Sequence, residues 1–436
     1  GSRLLMSGLF MATMVLGASS ILTATSIAVS LITGLSEQIC IVILTIFVVS
    51  YTMLGGMNAV IWTDVIQGIV LVIGAAIVLG LLLSGSDQMS NTLSYLNQNN
   101  KLTPINLDFN FSEVTTIWAG VIAMSMYHTT VYGTNQFMMQ RAMAAKTIGD
   151  AKKAYLLMGY SAFFLYFLFF FIGILLFAHF EGKPFDQQNS IVLIYIQQLA
   201  LPGLMGLVIA AILSASLSST SSALNSLSTV LIIDFYKKFF VISAADSHYL
   251  RASRIFTIVW GIVLIPFAFS FQGESGSILE VLSRVSSYLV GAKLSIFLLA
   301  FFSKNILEKD IFFGVFASFI ALVAIAPLQF LEPLVDSLWA GLGLSRPEIA
   351  WPWYVVIATF TNVLVSWLSS LFREKPVEIC HPLSIRGLRS ESKSRSVELG
   401  TAWSDVPGDI DRGVWPLLIF FVASIGLLCL FTASFV

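Results

Sequence analysis

Apolar residues fall in long runs separated by short polar stretches. Eleven runs are predicted to cross a membrane as helices, at 4–31, 38–54, 58–84, 116–137, 152–180, 204–235, 249–272, 277–303, 308–331, 351–372 and 413–436. Roughly 20 mostly apolar residues span a bilayer core as an α-helix. Strands of a membrane barrel would be about 10 residues long and strictly alternating, a pattern these runs lack. The pair Gly55-Gly56 predicts a turn that opens the third span. Between spans, 85–115 and 181–203 read as loops, the second holding an amphipathic stretch from Ile191 to Leu199. Segment 373–412, rich in Ser and Arg, reads as a flexible linker.

Composition turns the pattern into a class. Hydrophobic residues are 57% of the chain and charged residues 11%, with mean hydropathy +0.88. Soluble domains carry about 25% charged residues, so the solvent around most of this chain is lipid. Topology follows from the 23 Lys and Arg. With the first residue in the cytoplasm, only Lys101, Lys183 and Arg346 lie outside, Arg284 and Lys293 lie within a span, and all the others are cytoplasmic. That is the bias membrane proteins show. The chain is expected to be multi-pass in the plasma (inner) membrane, its last residue extracellular or periplasmic. Cys40, Cys380 and Cys429 are far apart and the four histidines lack ligand spacing. Neither a disulfide framework nor a metalloenzyme is expected.

Polar residues within spans are expensive and mark pathways or sites. Asp64, about two turns into its span, either serves the helix dipole near the interface or finds a partner inside the bundle. Between Ser214 and Ser226 lie seven serines and Thr220. Positions 214, 218, 221, 222 and 225 share one helical face, and 215, 219, 222 and 226 the adjacent stripe. Close packing uses one or two such residues; this many hydroxyls suit a hard cation. Neutral oxygens with one carboxylate fit a monovalent ion, since calcium wants more carboxylates. From Ser125 to Gln136, hydroxyl, amide and aromatic groups surround Gly133, which predicts a break of the kind transporters place near the midplane. His128 is either a hydrogen-bonded core residue or a proton carrier. Arg284 can snorkel. Lys293, deeper, either pairs with a carboxylate or receives an anionic solute.

Three motifs in order resemble the sodium:solute symporter family: Gly55-Gly56 with Ala59 to Asp64 and Gln67; Asn135-Gln136 with Gln140-Arg141; and Ser218 to Asn225 with Asp234 and Tyr236. The likeness runs from Arg3 to Phe372. It implies an all-α membrane bundle, a LeuT-like inverted repeat of five plus five helices with extra C-terminal helices. On that scheme 1–84 is the remainder of the first repeat, 116–303 the second, and 308–436 peripheral, all in one transmembrane domain. The resemblance implies a common sodium site at Ala215, Ser218 and Ser219, and a second at Asp64, Ser221 and Ser222. It places solute contacts on the broken helix at His128, Tyr132, Gly133 and Asn135, with Lys293 as an anion partner. Sugar carriers have an Asn and paired aromatics where this chain has His128, Val131 and Tyr132, which favours small anions. Sialate carriers hold an Arg in the span corresponding to 4–31, and here only Arg3 is basic.

The expected function is sodium-coupled import of a small organic solute, an anion such as a carboxylate, by alternating access. The alternatives are a sugar or other neutral-solute symporter, or a non-transporting sensor on the same fold. A membrane enzyme would need an acid, base or metal cluster, and the titratable groups are scattered. Sodium is the coupling ion; no organic cofactor, catalytic residue or nucleic-acid partner is expected. The partners are the solute and the bilayer, and oligomeric state is not legible. Because three spans precede the broken helix, the chain is expected to start at the third helix of the first repeat, to lack half the common sodium site, and not to transport alone.

Overall fold

The computed structural model describes residues 1–85, 89–103, 105–185, 188–272, 278–303, 305–327, 331–372 and 412–433. Residues 373–411, nearly all of the expected linker, lie outside them. Every regular element among the described residues is helical. Eight helical stretches there are long and apolar enough to span a bilayer: 2–33, 37–54, 60–84, 148–179, 204–240, 246–270, 282–302 and 352–371, with 415–430 apolar but shorter.

The difference from eleven has identifiable causes. The run 116–137 is broken. The helix in 308–331 is Glu308–Ile325 and begins with Glu308, Lys309 and Asp310. At the expected turn, Gly55-Gly56, α2 (Glu37–Ser84) keeps helical backbone yet folds back. Its halves 37–54 and 60–84 are separate spans, and Tyr51 meets both Gln67 and Asp64, residues that a straight helix would hold about 20 Å or more away.

The chain divides into two compact units. One comprises residues 11–104, 158–282 and 430–436. It holds most of α1 (Ser2–Thr33), α2, α3 (Met89–Gln98), the larger part of α6 (Ile148–His179), α7 (Ile191–Leu199), α8 (Leu204–Val230) and α9 (Asp246–Ser270). Ser36 caps α2 by accepting from Ile39 N, with Glu37 on the positive helix end. One core joins Leu22 of α1, Ile41 and Val48 of α2, Leu224 and Leu227 of α8, and Leu264 of α9. Small residues bring backbones close: a Cβ on Gly74 would lie 2.8 Å from Ala211 Cβ. With Ser218 beside Asp64, that contact makes α8 antiparallel to the second half of α2. A buried hydroxyl stripe on α1 ties it to α9, Ser19 donating to Leu264 O at 3.0 Å and Thr23 to Ala268 O at 2.8 Å. After Val230 the helix widens into π-type turns, Leu231–Phe240.

The other unit comprises residues 1–10, 105–157 and 283–429. It contains a π-type segment Ala119–Met124, α4 (Ser125–Gly133), α5 (Gln136–Met143), most of α10 (Ile278–Phe302), α11 (Glu308–Ile325), α12 (Glu332–Gly341), α13 (Pro352–Leu371) and α14 (Trp415–Ala433). α11 and α13 pack tightly. Asp310 stays buried because Leu307 N donates to one oxygen and Ser369 Oγ to the other, both at 2.8 Å. From there hydroxyls and an amide run to α10: Ser366 Oγ donates to Asp310 O and to Asn362 Oδ1, and Asn362 Nδ2 donates to Ser295 Oγ at 2.5 Å. Thr359 Oγ1 donates to Gly291 O at 3.2 Å.

Candidate functional site

In the unit built on α2, α8 and α9, the serine-rich turn of α8 faces Asp64. Ser218 Oγ donates to Asp64 Oδ1 at 2.6 Å, and Ser222 Oγ reaches Oδ2 at 3.5 Å. The first contact has the length of a charge-assisted bond to a carboxylate. Residues 218 and 222 stand one turn apart, so both hydroxyls meet one carboxylate. Ser221, fully buried, instead donates to Ser218 O at 3.0 Å. Tyr51 donates to Leu217 O at 2.8 Å, and its hydroxyl lies against Ser221, Asp64 and Gln67. Asp64 therefore has its partners inside the bundle, which settles one of the alternatives left by its position in the span.

Ala215 and Ser219 face elsewhere. Ser219 Oγ donates to Ala215 O at 3.1 Å, and both line a cavity of about 540 Å³ with Ala24, Thr25, Gly74 and Ser216. Ser216 Oγ is buried there without a hydrogen-bond partner among the described residues. Of the three residues grouped as a common sodium site, Ser218 has its hydroxyl on Asp64, while Ala215 and Ser219 line the cavity. One step along a helix turns a side chain by about 100°, enough to send 218 and 219 in different directions.

In the other unit, the break expected at Gly133 is present. α4 ends at Gly133, Thr134 leaves helical geometry at φ −122°, and Asn135 is extended at ψ 130° before α5 begins. Asn135 is buried, and its Oδ1 accepts from Lys293 Nζ at 3.2 Å. Lys293 is 0% exposed. Among the described residues no carboxylate lies within ion-pair distance of it. His128 stacks on Tyr132, ring centroids 5.5 Å apart, with Nδ1 buried and without a hydrogen-bond partner among the described residues. Tyr155 donates to Tyr132 O at 3.1 Å. Gly133 is exposed.

Gln67, quoted in the sequence only as part of a motif, and Tyr51 were not identified as site residues. Their signal is spacing: Gln67 stands three residues after Asp64, on the same face. The α1 hydroxyls and the Asp310 network were also missed, because their partners lie on helices distant in the sequence.

The model of the sodium:solute symporter family matches residues 3–317. The sodium-dependent multivitamin transporter of Oryctolagus cuniculus is 27% identical over 432 residues, covering 94% of this chain and 66% of that protein. A sodium/sialic acid symporter of Aliivibrio fischeri is 26% identical over 79% of this chain and 66% of its own. Sodium-coupled monocarboxylate transporter 2 of Mus musculus is 25% identical over 83% and 64%. The chain thus spans about two thirds of the length of these relatives. Among solved structures, a substrate-bound, outward-open sodium-coupled sialic acid symporter has the same fold, with TM-score 0.72 at 24% identity, covering 87% of this chain and 76% of that one.

Proposed function

Since this chain belongs to the sodium:solute symporter family, whose relatives are carriers rather than enzymes, we propose that it serves sodium-coupled import of a small organic anion, a carboxylate in particular. The observation that carries this reading is the Asp64 carboxylate held among the hydroxyls of Ser218 and Ser222. One negative charge with neutral oxygens matches the charge and hardness of a sodium ion. Ser221 belongs to the same set by the family resemblance and stands beside Ser222 on the same turn of α8, its hydroxyl on Ser218 O. Ala215 O and Ser219 Oγ form a second group of oxygens open to the neighbouring cavity.

The anion preference rests on Lys293. Its amine is buried against a neutral amide with no carboxylate in reach among the described residues, and a bound carboxylate would supply a counter-ion. His128, Tyr132, Gly133 and Asn135 frame the same break with ring faces and hydrogen-bonding groups. Relatives named for sialic acid and for monocarboxylates are consistent with an acid as solute. At 100 mV, inside negative, each sodium charge contributes about 2.3 kcal/mol to uphill movement by alternating access. The Lys and Arg distribution puts the first residue of this chain in the cytoplasm.

The test is thermal stability of the purified chain in NaCl and in KCl at equal ionic strength, with and without small carboxylates. Sodium-specific stabilisation, further raised by carboxylates and not by their neutral amides, is expected. Equal stability in both salts would remove the sodium reading. Stabilisation by the amides instead would replace the anion by a neutral solute.

A further inference from the structure

Gln67 is half-buried on α2, three residues beyond Asp64 and on its face of the helix. Its Oε1 is buried with no hydrogen-bond partner among the described residues. Tyr51 joins it to the serine turn, since that hydroxyl lies against Gln67, Asp64 and Ser221 together while donating to Leu217 O. Burying an amide oxygen without a partner costs about 1–3 kcal/mol. The carboxylate beside it offers acceptors only, so nothing in Asp64 can satisfy it. A cation would.

The geometry points to Gln67 as a ligand of the ion held at Asp64, its amide oxygen completing a set made of the Asp64 carboxylate and the hydroxyls of Ser218 and Ser222. This rests on the sodium reading proposed above. Sodium takes neutral oxygens readily, and an uncharged donor at position 67 keeps the total ligand charge at −1. Gln67 is then the residue that sets ion valence: a second carboxylate there would make the site attractive to a hard divalent cation. Tyr51 is a positioning residue, holding the amide and the serine turn in register without itself needing to touch the ion.

The experiment titrates sodium into the purified full chain at constant ionic strength, with choline as the replacing ion, and reads melting temperature. Wild type, Asp64→Asn, Gln67→Leu and Gln67→Glu are compared, and the Glu variant is titrated with calcium as well. In Gln67→Leu, the sodium concentration giving half the full shift is expected to rise on the order of tenfold. Its melting temperature in choline is expected to equal or exceed that of wild type, because the orphan oxygen is gone. In Gln67→Glu, calcium is expected to stabilise where it does nothing to wild type. A sodium response abolished by Asp64→Asn yet unchanged in Gln67→Leu would overturn the role of Gln67 and leave the sodium site standing. A response that survives Asp64→Asn would overturn the sodium site itself. Should Gln67→Leu fail to fold, the Glu variant decides: calcium sensitivity supports the assignment and its absence rejects it.

Discussion

Lys293 Nζ lies 3.2 Å from Asn135 Oδ1, joining the middle of α10 to the extended residue between α4 and α5. Replacing a buried charge with an apolar side chain of similar size is often neutral or stabilising, whereas an uncompensated buried charge costs roughly 3–5 kcal/mol. Lys293→Met should therefore keep or raise the melting temperature while removing stabilisation by carboxylates. Lys293→Glu should be strongly destabilised. Melting curves with and without a carboxylate check both.

Ser218 and Ser222 should separate in a sodium titration. Their distances to Asp64 are 2.6 and 3.5 Å, so Ser218→Ala removes the stronger contact. A loss of about 1.4 kcal/mol in ion binding is a tenfold weaker affinity. That is the shift expected for Ser218→Ala, with a smaller one for Ser222→Ala. Equal effects would mean the two hydroxyls contribute alike and the short contact is not special.

Gly291 admits no side chain. A Cβ there would lie 2.6 Å from Ala358 Cβ and 2.7 Å from Val355 O, a backbone atom unable to retreat alone. Gly291→Ala gains up to about 1 kcal/mol of helix propensity. Overpacking costs typically 1–3 kcal/mol, so packing wins. The variant should melt below wild type, and Gly291→Val lower still. A rise in melting temperature would mean α10 and α13 separate more easily than their contacts imply.

Asn362 is fully buried and bonded both ways, donating to Ser295 and accepting from Ser366. Each such bond contributes about 0.5–1.5 kcal/mol net. Asn362→Leu, close in volume, should lose roughly 1–3 kcal/mol, measured by denaturation in detergent. No loss would show that Ser295 and Ser366 are satisfied by the carbonyls they already contact.

Membrane sidedness is testable with single cysteines in a background without Cys40, Cys380 and Cys429. Lys101→Cys should react with an impermeant maleimide from outside intact cells, and Lys152→Cys only after lysis. The reverse pattern would invert the topology.

Most of the span pattern was legible because length and hydropathy decide it one segment at a time. The break at Gly133 was legible for a similar reason: glycine among polar and aromatic groups in an apolar run is a local signal. Asp64 and the serine face were legible as chemistry, since both are out of place in lipid. What the sequence could not show is pairing. Ser218 lies 154 positions from Asp64 and Lys293 158 from Asn135, and no local pattern encodes such meetings. Gly55-Gly56 was legible as the place where α2 folds back, because a glycine pair between two apolar runs is a local signal. The Asn362 network left only a faint trace, Asn362, Ser366 and Ser369 on one face of α13, easily read as ordinary polar packing.

α10 presents two different surfaces. Gly291 and Ser295 are held by Thr359 and Asn362 of α13. Lys293, two residues from each and so about 200° around the helix, meets Asn135. The ammonium and the lock on its helix are therefore separable targets for heritable change. Substitutions along α13 can slide or roll α10 and move the charge without altering any residue that meets a solute. A lineage could in this way shift the Lys293 side chain through positions that a comparison of the residues around the Gly133 break alone would pass over.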